Sequence, residues 1–375
     1  MTPSPASNVA TADPTGPVPS TPGAARARWR PAAEAVAIPV GAVLAALGLF
    51  GLFCLARGVS PLEVYAAIYK AAFGSGYSFQ NTLVRASPLM LTALCTALPA
   101  RLGLVVIGNE GALVVGGLVA AASGLAVAAM PFPVVLSVMT LTGAVAGGLW
   151  IALTGFLHTR RGVNETIASL LLNYIAIALL NHLVNGPLRD PESLNKPSTR
   201  AIPDDRMIPM IGETTVHWGL AFGVVACVAA WFLMEHSPFG FAVRTCGGNL
   251  RAGRLAGLPV ARLTWVTCFL AGAAAGLAGM IEVAAVHGRA NESLAAGYGY
   301  AGILVAFVAR HRGIPILLVA TLLGGILASG GILQRQFKLP DATILVFQGF
   351  VFVMILLSDA FYGRFAMFRD TEARR

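Results

Sequence analysis

The chain has 375 residues, 56 % of them hydrophobic and 11 % charged, with a formal net charge of +9 at pH 7. Soluble domains carry about 25 % charged residues, so composition excludes an ordinary soluble protein. Apolar runs of about 20 residues recur along the chain and point to an all-α, polytopic helical membrane protein. The positive charges lie mostly in short loops, where orientation in the bilayer and anionic lipid headgroups account for them without a nucleic-acid partner.

Residues 1–31 are rich in Pro, Ala, Thr and Ser, include Arg26, Arg28 and Arg30, and read as a disordered cytoplasmic tail. The transmembrane part then covers 32–358. Residues 32–56 are the first span, and because a long polar stretch precedes them they read as a retained helix, not a cleaved signal peptide. The segment 61–74, PLEVYAAIYKAAFG, has helical apolar spacing but carries Glu63 and Lys70, which suits an amphipathic helix at the interface. Residues 81–100 are the second span, with Pro88 and Pro99 expected to bend it. The apolar run 102–130 is interrupted by GNEG at 108–111. Pro131 and Pro133 make a turn, and 134–157 forms a span that ends at Arg160 and Arg161.

A span over 167–184 follows, headed by GVNE at 162–165, and then a polar loop over 185–216. Residues 218–234 lead into a basic connector, 235–262, with Arg244, Arg251, Arg254 and Arg262 and a single acid, Glu235. Its middle, 249–256, can form a short helix punctuated by Gly247, Gly248 and Gly257. Beyond it come apolar runs at 263–286, 300–309 (ending in RHR at 310–312), 314–332 and 342–357, and a basic tail at 359–375. This pattern predicts about ten crossings. More than half of the 26 lysines and arginines fall on the side that then holds both termini and the connector, which predicts that side to be cytoplasmic.

Few residues stand out for chemistry. A carboxylate at Glu110, amid apolar residues and beside Asn109, must be paired, protonated or facing water. Flanking glycines let the helix unwind there, so Glu110 reads equally as a substrate-pathway residue and as a lock between helices. Asn164 is a plausible N-cap with Glu165 in the first turn, and Asn173, mid-span, needs another helix or a ligand as partner. Glu282, His287, Arg289 and Asn291 cluster at one end of a span; the simplest reading is a solvated helix end, the sharper one a vestibule. Gln348 is an isolated polar group in the last span. GAVAG (143–147) and GAAAG (272–276) suit close helix packing. The cysteines Cys54, Cys95, Cys227, Cys246 and Cys268 show neither metal spacing nor a disulfide framework. The three lysines, Lys70, Lys196 and Lys338, all lack a preceding glycine, so a P-loop is ruled out and no ATP hydrolysis by this route is expected of the chain.

In order and spacing, VIGNEGALVVGGLVAA (106–121), GVNETIASLLLNYIA (162–176), RTCGGNLRAGRLAGL (244–258) and LAGAAAGLAGMIEVAAVHGR (270–289) resemble the permease subunits of bacterial nucleoside and simple-sugar ABC importers. That group also holds ribose and branched-chain amino acid permeases. The resemblance covers about residues 35–358, and GVNE followed by LNYIA, with IEVAAVHGR, is similar to the nucleoside branch. It implies a transport subunit in the cytoplasmic membrane that binds no cofactor. ATP and magnesium would be used by a tandem-domain ABC ATPase. The other partners implied are a second permease, identical or different, a solute-binding lipoprotein outside, and membrane lipids. It places ATPase coupling at Gly248, Asn249, Arg251, Arg254, Ala256 and Gly257, and leaves Asn109, Glu110, Asn173, Glu282, His287 and Gln348 as substrate-pathway residues. The chain departs from the family pattern at Val106 and Ala112, where Asn and Gln are usual, and at Leu250 and Arg251, where Pro-Glu is commoner. An ion-coupled secondary transporter, a permease for another solute such as ribose or branched-chain amino acids, and a membrane scaffold without transport are the alternatives.

Overall fold

The computed structural model describes residues 23–193, 196–340 and 342–361; the outer parts of the two predicted tails, 1–22 and 362–375, lie outside the described residues. The described chain is nearly all helical, with two isolated β-bridges. Helix α1 (Gly23–Ala56) starts inside the segment read as a disordered tail. It turns through Gly58, at φ +73°, into α2 (Pro61–Phe73), and the two axes meet at 116°. The segment over 61–74 is therefore a helix, as its spacing predicts. There follow α3 (Gly76–Ala100), α4 (Asn109–Ala126), α5 (Phe132–Arg161), α6 (Glu165–Asn185), α7 (Gly219–His236), α8 (Pro238–Gly248) and α9 (Leu250–Leu255). Helix α10 (Val260–Ile281) runs on into a π-helical turn (Glu282–His287), and α11 (Tyr298–Val308), α12 (Gly313–Ala328), α13 (Gly330–Phe337) and α14 (Thr343–Phe361) complete the chain.

Seven of these helical stretches are long and apolar enough to cross a bilayer, eight if the bent α1–α2 pair is one span. The count of ten also includes α11 and α14, whose apolar stretches among the described residues, 292–308 and 343–358, are shorter. At 11 residues, α11 rises about 16 Å, roughly half of a 30 Å hydrocarbon core.

Two kinds of packing hold the bundle. Helix α3 is central: its residues 86–99 are buried, and it continues through Pro88 and Pro99 without a break. Around α4, α5 and α10 the helices meet backbone to backbone. A Cβ at Gly116 would overlap Gly276, one at Gly147 would overlap Gly272, and one at Gly279 would overlap the Leu113 carbonyl. The small-residue runs at 143–147 and 272–276 thus face each other, the arrangement such spacing permits. A second apolar cluster joins α1, α2, α13 and α14, where Phe50 stacks on Phe347 with ring centroids 4.6 Å apart.

The polar loop after α6 folds back over the end of α10. Ile202 N donates to Gly288 O at 2.8 Å, Ile208 N to Ala284 O at 2.8 Å, and Thr199 N to Ala290 O at 3.0 Å. Asn291 (9 % exposed) pairs with Ser198 of this loop and is buried, and Glu282 (4 % exposed) is buried near Arg85 and Tyr298. The solvated helix end expected from sequence is replaced by a covered one, because the loop and neighbouring helices supply the cover that the span alone lacks.

Candidate functional site: a polar break, a cavity and a basic connector

Between α3 and α4 the chain turns through Gly103 (φ +79°) and runs non-helically to Gly108. Non-helical backbone at membrane depth must find partners inside the protein. One face of α6 provides them. Thr166 Oγ1 donates to Val105 O at 2.8 Å, Ser169 Oγ accepts from Ile107 N at 3.1 Å, and Asn173 Nδ2 donates to Ile107 O at 2.8 Å. Asn173 Oδ1 also accepts from Gly111 N at 2.7 Å, where a side chain at Gly111 would collide with Asn173. Asn164 caps α6 by accepting from Ile167 N at 3.0 Å, and Glu165 meets His158 at 3.0 Å.

Asn109 and Glu110 open α4 and are 0 % and 1 % exposed. Asn109 Nδ2 donates to Thr92 O and to Thr96 Oγ1, both at 2.9 Å. Glu110 accepts from Gly297 N at 2.7 Å and from Gly299 N at 2.5 Å, the first free amides of α11. Its carboxylate therefore lies between the positive ends of two helices, its own and α11, a favourable place for negative charge. Gly299 is required there, since a Cβ would strike Glu110 itself. Both Glu110 oxygens thus accept from backbone donors, the contacts that a lock between helices needs.

Beside this lock, α11 and α14 border an open cavity of about 510 Å³, lined by Ile107, Ala295 to Gly297, Tyr300, Ile303, Leu304, Leu345, Gln348 and Phe352, among others. Tyr300 lies close to Asn173. Glu282 and His287 do not line the cavity. They lie 3.5 Å apart beneath the loop, and Glu282 shares its electrostatic surroundings with Arg85 and Glu110. The structure thus brings Asn109, Glu110 and Asn173 together, puts Gln348 across the cavity, and sets Glu282 and His287 apart. Thr92, Thr96, Thr166, Ser169, Tyr300 and Arg85 were missed. Hydroxyls are too common in apolar helices to attract notice, although Thr166, Ser169 and Asn173 share a helix face at spacings of three and four.

At the C-terminal ends of α3 and α11 lies the connector. Glu235 accepts from Arg101 at 3.0 Å and from Arg244 at 3.0 Å, and Arg101 Nε donates to His311 O at 2.9 Å. Arg244 also donates to Met234 O. The close of α3, the close of α7, the start of the connector and the turn after α11 are tied at one carboxylate. Gly247 presses on the Arg101 carbonyl so tightly that a Cβ would overlap it. Beyond it, Asn249 caps α9, accepting from Arg251 N at 3.0 Å and Ala252 N at 3.1 Å, and Gly257 at φ +72° ends it. Gly253 turns inward against Cys246, while Gly248, Arg251, Arg254, Ala256 and Leu255 (90 % exposed) face out. Behind α9 is a second cavity of about 550 Å³, reached by Arg254, His158 and Glu165.

Comparison with known proteins finds relatives along most of the sequence. The family described as the branched-chain amino acid transport system / permease component covers residues 78–356. The glucose ABC transporter permease TsgB13 of Haloferax volcanii is 32 % identical over 90 % of this chain and 91 % of its own length. The guanosine ABC transporter permease NupP of Bacillus subtilis is 29 % identical over 88 % and 95 %, and the nucleoside ABC transporter permease NupB of Lactococcus lactis 25 % identical over 85 % and 92 %. The match runs from the first turn of α3 into α14 and takes in the break, the cavity wall and the connector, so this chain belongs to the branched-chain amino acid transport permease family, as an integral membrane permease component.

Proposed function

We propose that the chain is the membrane-spanning subunit of an ATP-driven importer for nucleosides or related simple sugars, with a docked ATPase moving it through residues 247–257. The observation that carries this reading is the form of α9. A six-residue helix, capped at both ends, holds Leu250, Arg251, Arg254 and Leu255 outward at the surface of the bundle. Apolar residues exposed among arginines on a short rigid helix suit insertion into a groove of a soluble partner. The tie at Glu235 then links that helix to α3 and α11, and α11 reaches the cavity and the Glu110 lock at its other end. Closure of two ATPase modules would shift the bundle between outward- and inward-facing states by binding one of them better. ATP and magnesium are used by that partner, and a second permease and an external solute-binding protein complete the assembly.

The same geometry supports the predicted orientation, because Arg101, the connector and the turn at 310–312 share one end of the bundle. It speaks against a carrier that moves an ion on Glu110, whose oxygens already have donors. The test is ATP hydrolysis by the complex reconstituted with its ATPase and solute-binding protein, over a panel of nucleosides and sugars. Stimulation by solute that disappears in Gly257→Pro is expected. Stimulation unchanged in that variant sinks the role of 247–257, and uptake driven by an ion gradient alone sinks the importer.

A further inference from the structure

The cavity between α11 and α14 has a chemistry that separates the two solute classes left together above. Its volume, about 510 Å³, lies in the usual range of small-molecule sites, about 300–1,000 Å³. Its walls are Ile107, Ile303, Leu304, Leu345, Phe352 and the ring of Tyr300, which is 42 % exposed. Two polar side chains reach it. Tyr300 lies beside Asn173. Gln348 is only 9 % exposed, yet its amide nitrogen has no hydrogen-bond partner, a state that native structures seldom leave uncompensated. Two glycines on the same walls, Gly297 and Gly349, border open space: a Cβ at either meets nothing within 4 Å.

A sugar ring carries hydroxyls around its whole rim, and each needs a partner once it leaves water. This wall offers one uncommitted side-chain amide. A nucleobase is the opposite kind of object, with two faces that stack on aromatic and aliphatic surface and donors and acceptors confined to its edge. A primary amide presents a donor and an acceptor side by side, the pattern with which Gln pairs to a base edge. Rotation about the last side-chain torsion turns either atom toward the cavity.

We infer that this cavity is a nucleobase subsite on the transport path, with Gln348 reading the base edge and Tyr300 supplying a stacking surface, so that the solute carried is a nucleoside and not a free sugar. The inference rests on the importer reading given above. The experiment is ATP-driven uptake of labelled guanosine, uridine, ribose and glucose by the complete importer in proteoliposomes, for the natural chain, Gln348→Met and Gly349→Leu, with assembly checked by co-purification of the ATPase. The natural chain is expected to carry a nucleoside at least tenfold faster than either sugar. Gln348→Met raises KM for that nucleoside about tenfold, and Gly349→Leu, which fills the space, lowers uptake further. ATP-driven uptake that prefers glucose or ribose overturns the nucleobase subsite while leaving the importer intact; uptake independent of ATP overturns the importer itself. Nucleoside uptake within twofold of the natural chain in both assembled variants removes the subsite from this cavity. Should either variant fail to assemble, Ala296→Cys on the same wall is labelled with a maleimide against five native cysteines that are all buried. Protection by guanosine and not by glucose is then the expected result, and protection by neither overturns the assignment.

Discussion

Two regions of this bundle are held by opposite means. Where α4, α5 and α10 meet, glycines bring backbone against backbone, and dispersion between closely fitted surfaces does the holding. Around the break and α11, polar side chains hold backbone groups that no helix satisfies, Glu110 on Gly297 and Gly299 and Asn173 on Ile107 and Gly111, and Glu235 pairs with the side chains of Arg101 and Arg244. A glycine interface tolerates almost no displacement, because its fit is lost within an ångström. A hydrogen-bonded clamp is discrete and exchangeable, since the same donors can meet water or another acceptor in a second arrangement. The comparison teaches that the first region suits a frame and the second the parts that move against it.

The largest effect should come from breaking the frame. Gly279→Val puts a branched side chain where even a Cβ overlaps the Leu113 carbonyl. Backbone cannot yield as a flexible side chain can, so the cost is expected at about 3 kcal/mol or more. Little monodisperse protein should survive detergent extraction. Gly76→Ala, where a Cβ meets nothing within 4 Å, should extract like the natural chain. Equal yields for the two would mean that the glycine contacts do not hold the frame.

Next in size is the clamp at the break. Glu110→Ala strands two buried amides and removes a charge-assisted pair, worth about 3 kcal/mol for such bonds together. Glu110→Gln keeps one acceptor and turns its NH₂ toward a donor, so it should fall between alanine and the natural chain in thermal stability. Transport should be lost in both. Full transport by Glu110→Ala would show that α11 keeps its place without the lock.

Much of the frame was legible from sequence, and less of the clamp. Apolar runs, Arg160–Arg161 and the glycine spacings at 143–147 and 272–276 are one-dimensional signals, and each maps to an element. Glu110 and Asn173 also announced themselves, because an acid or amide inside an apolar run is costly unless satisfied. Their partners did not. Gly297 and Gly299 are 187 and 189 residues from Glu110, and a backbone amide leaves no mark on a sequence. The short α11 was counted as a crossing because hydropathy registers composition and not depth. Burial of Glu282 was hidden for a similar reason: its neighbours Arg85 and Tyr298 lie on other helices.

Glu235 sharpens the comparison from the other side, since it should matter for coupling far more than for stability. Its carboxylate is 34 % exposed, and ion pairs at such exposure stabilise by about 1 kcal/mol or less. Glu235→Ala should therefore leave the melting temperature nearly unchanged while uptake drops severalfold and ATP hydrolysis by the complex continues. Arg101→Ala should do the same, and the double variant should be no worse than either single one if both act through one tie. Additive losses would mean that the residues act separately.

The smallest effect concerns the loop that covers α10. His217, ahead of α7, is 3 % exposed, and neither ring nitrogen has a hydrogen-bond partner. Burial disfavours its charged form and holds its pKa below the ordinary value, which is about 6.5 in an unfolded chain. Above that value folded and unfolded chains both carry a neutral ring, so stability does not depend on this group. As pH falls through about 6.5 the unfolded chain takes up the proton first, and stability declines until the folded pKa is reached. His217→Phe keeps a ring of similar size but cannot titrate. Melting curves in detergent between pH 8 and pH 5 should fall less steeply on the acid side for this variant than for the natural chain. Parallel slopes would place the acid sensitivity in another group, and the covering loop would then be indifferent to pH at this position.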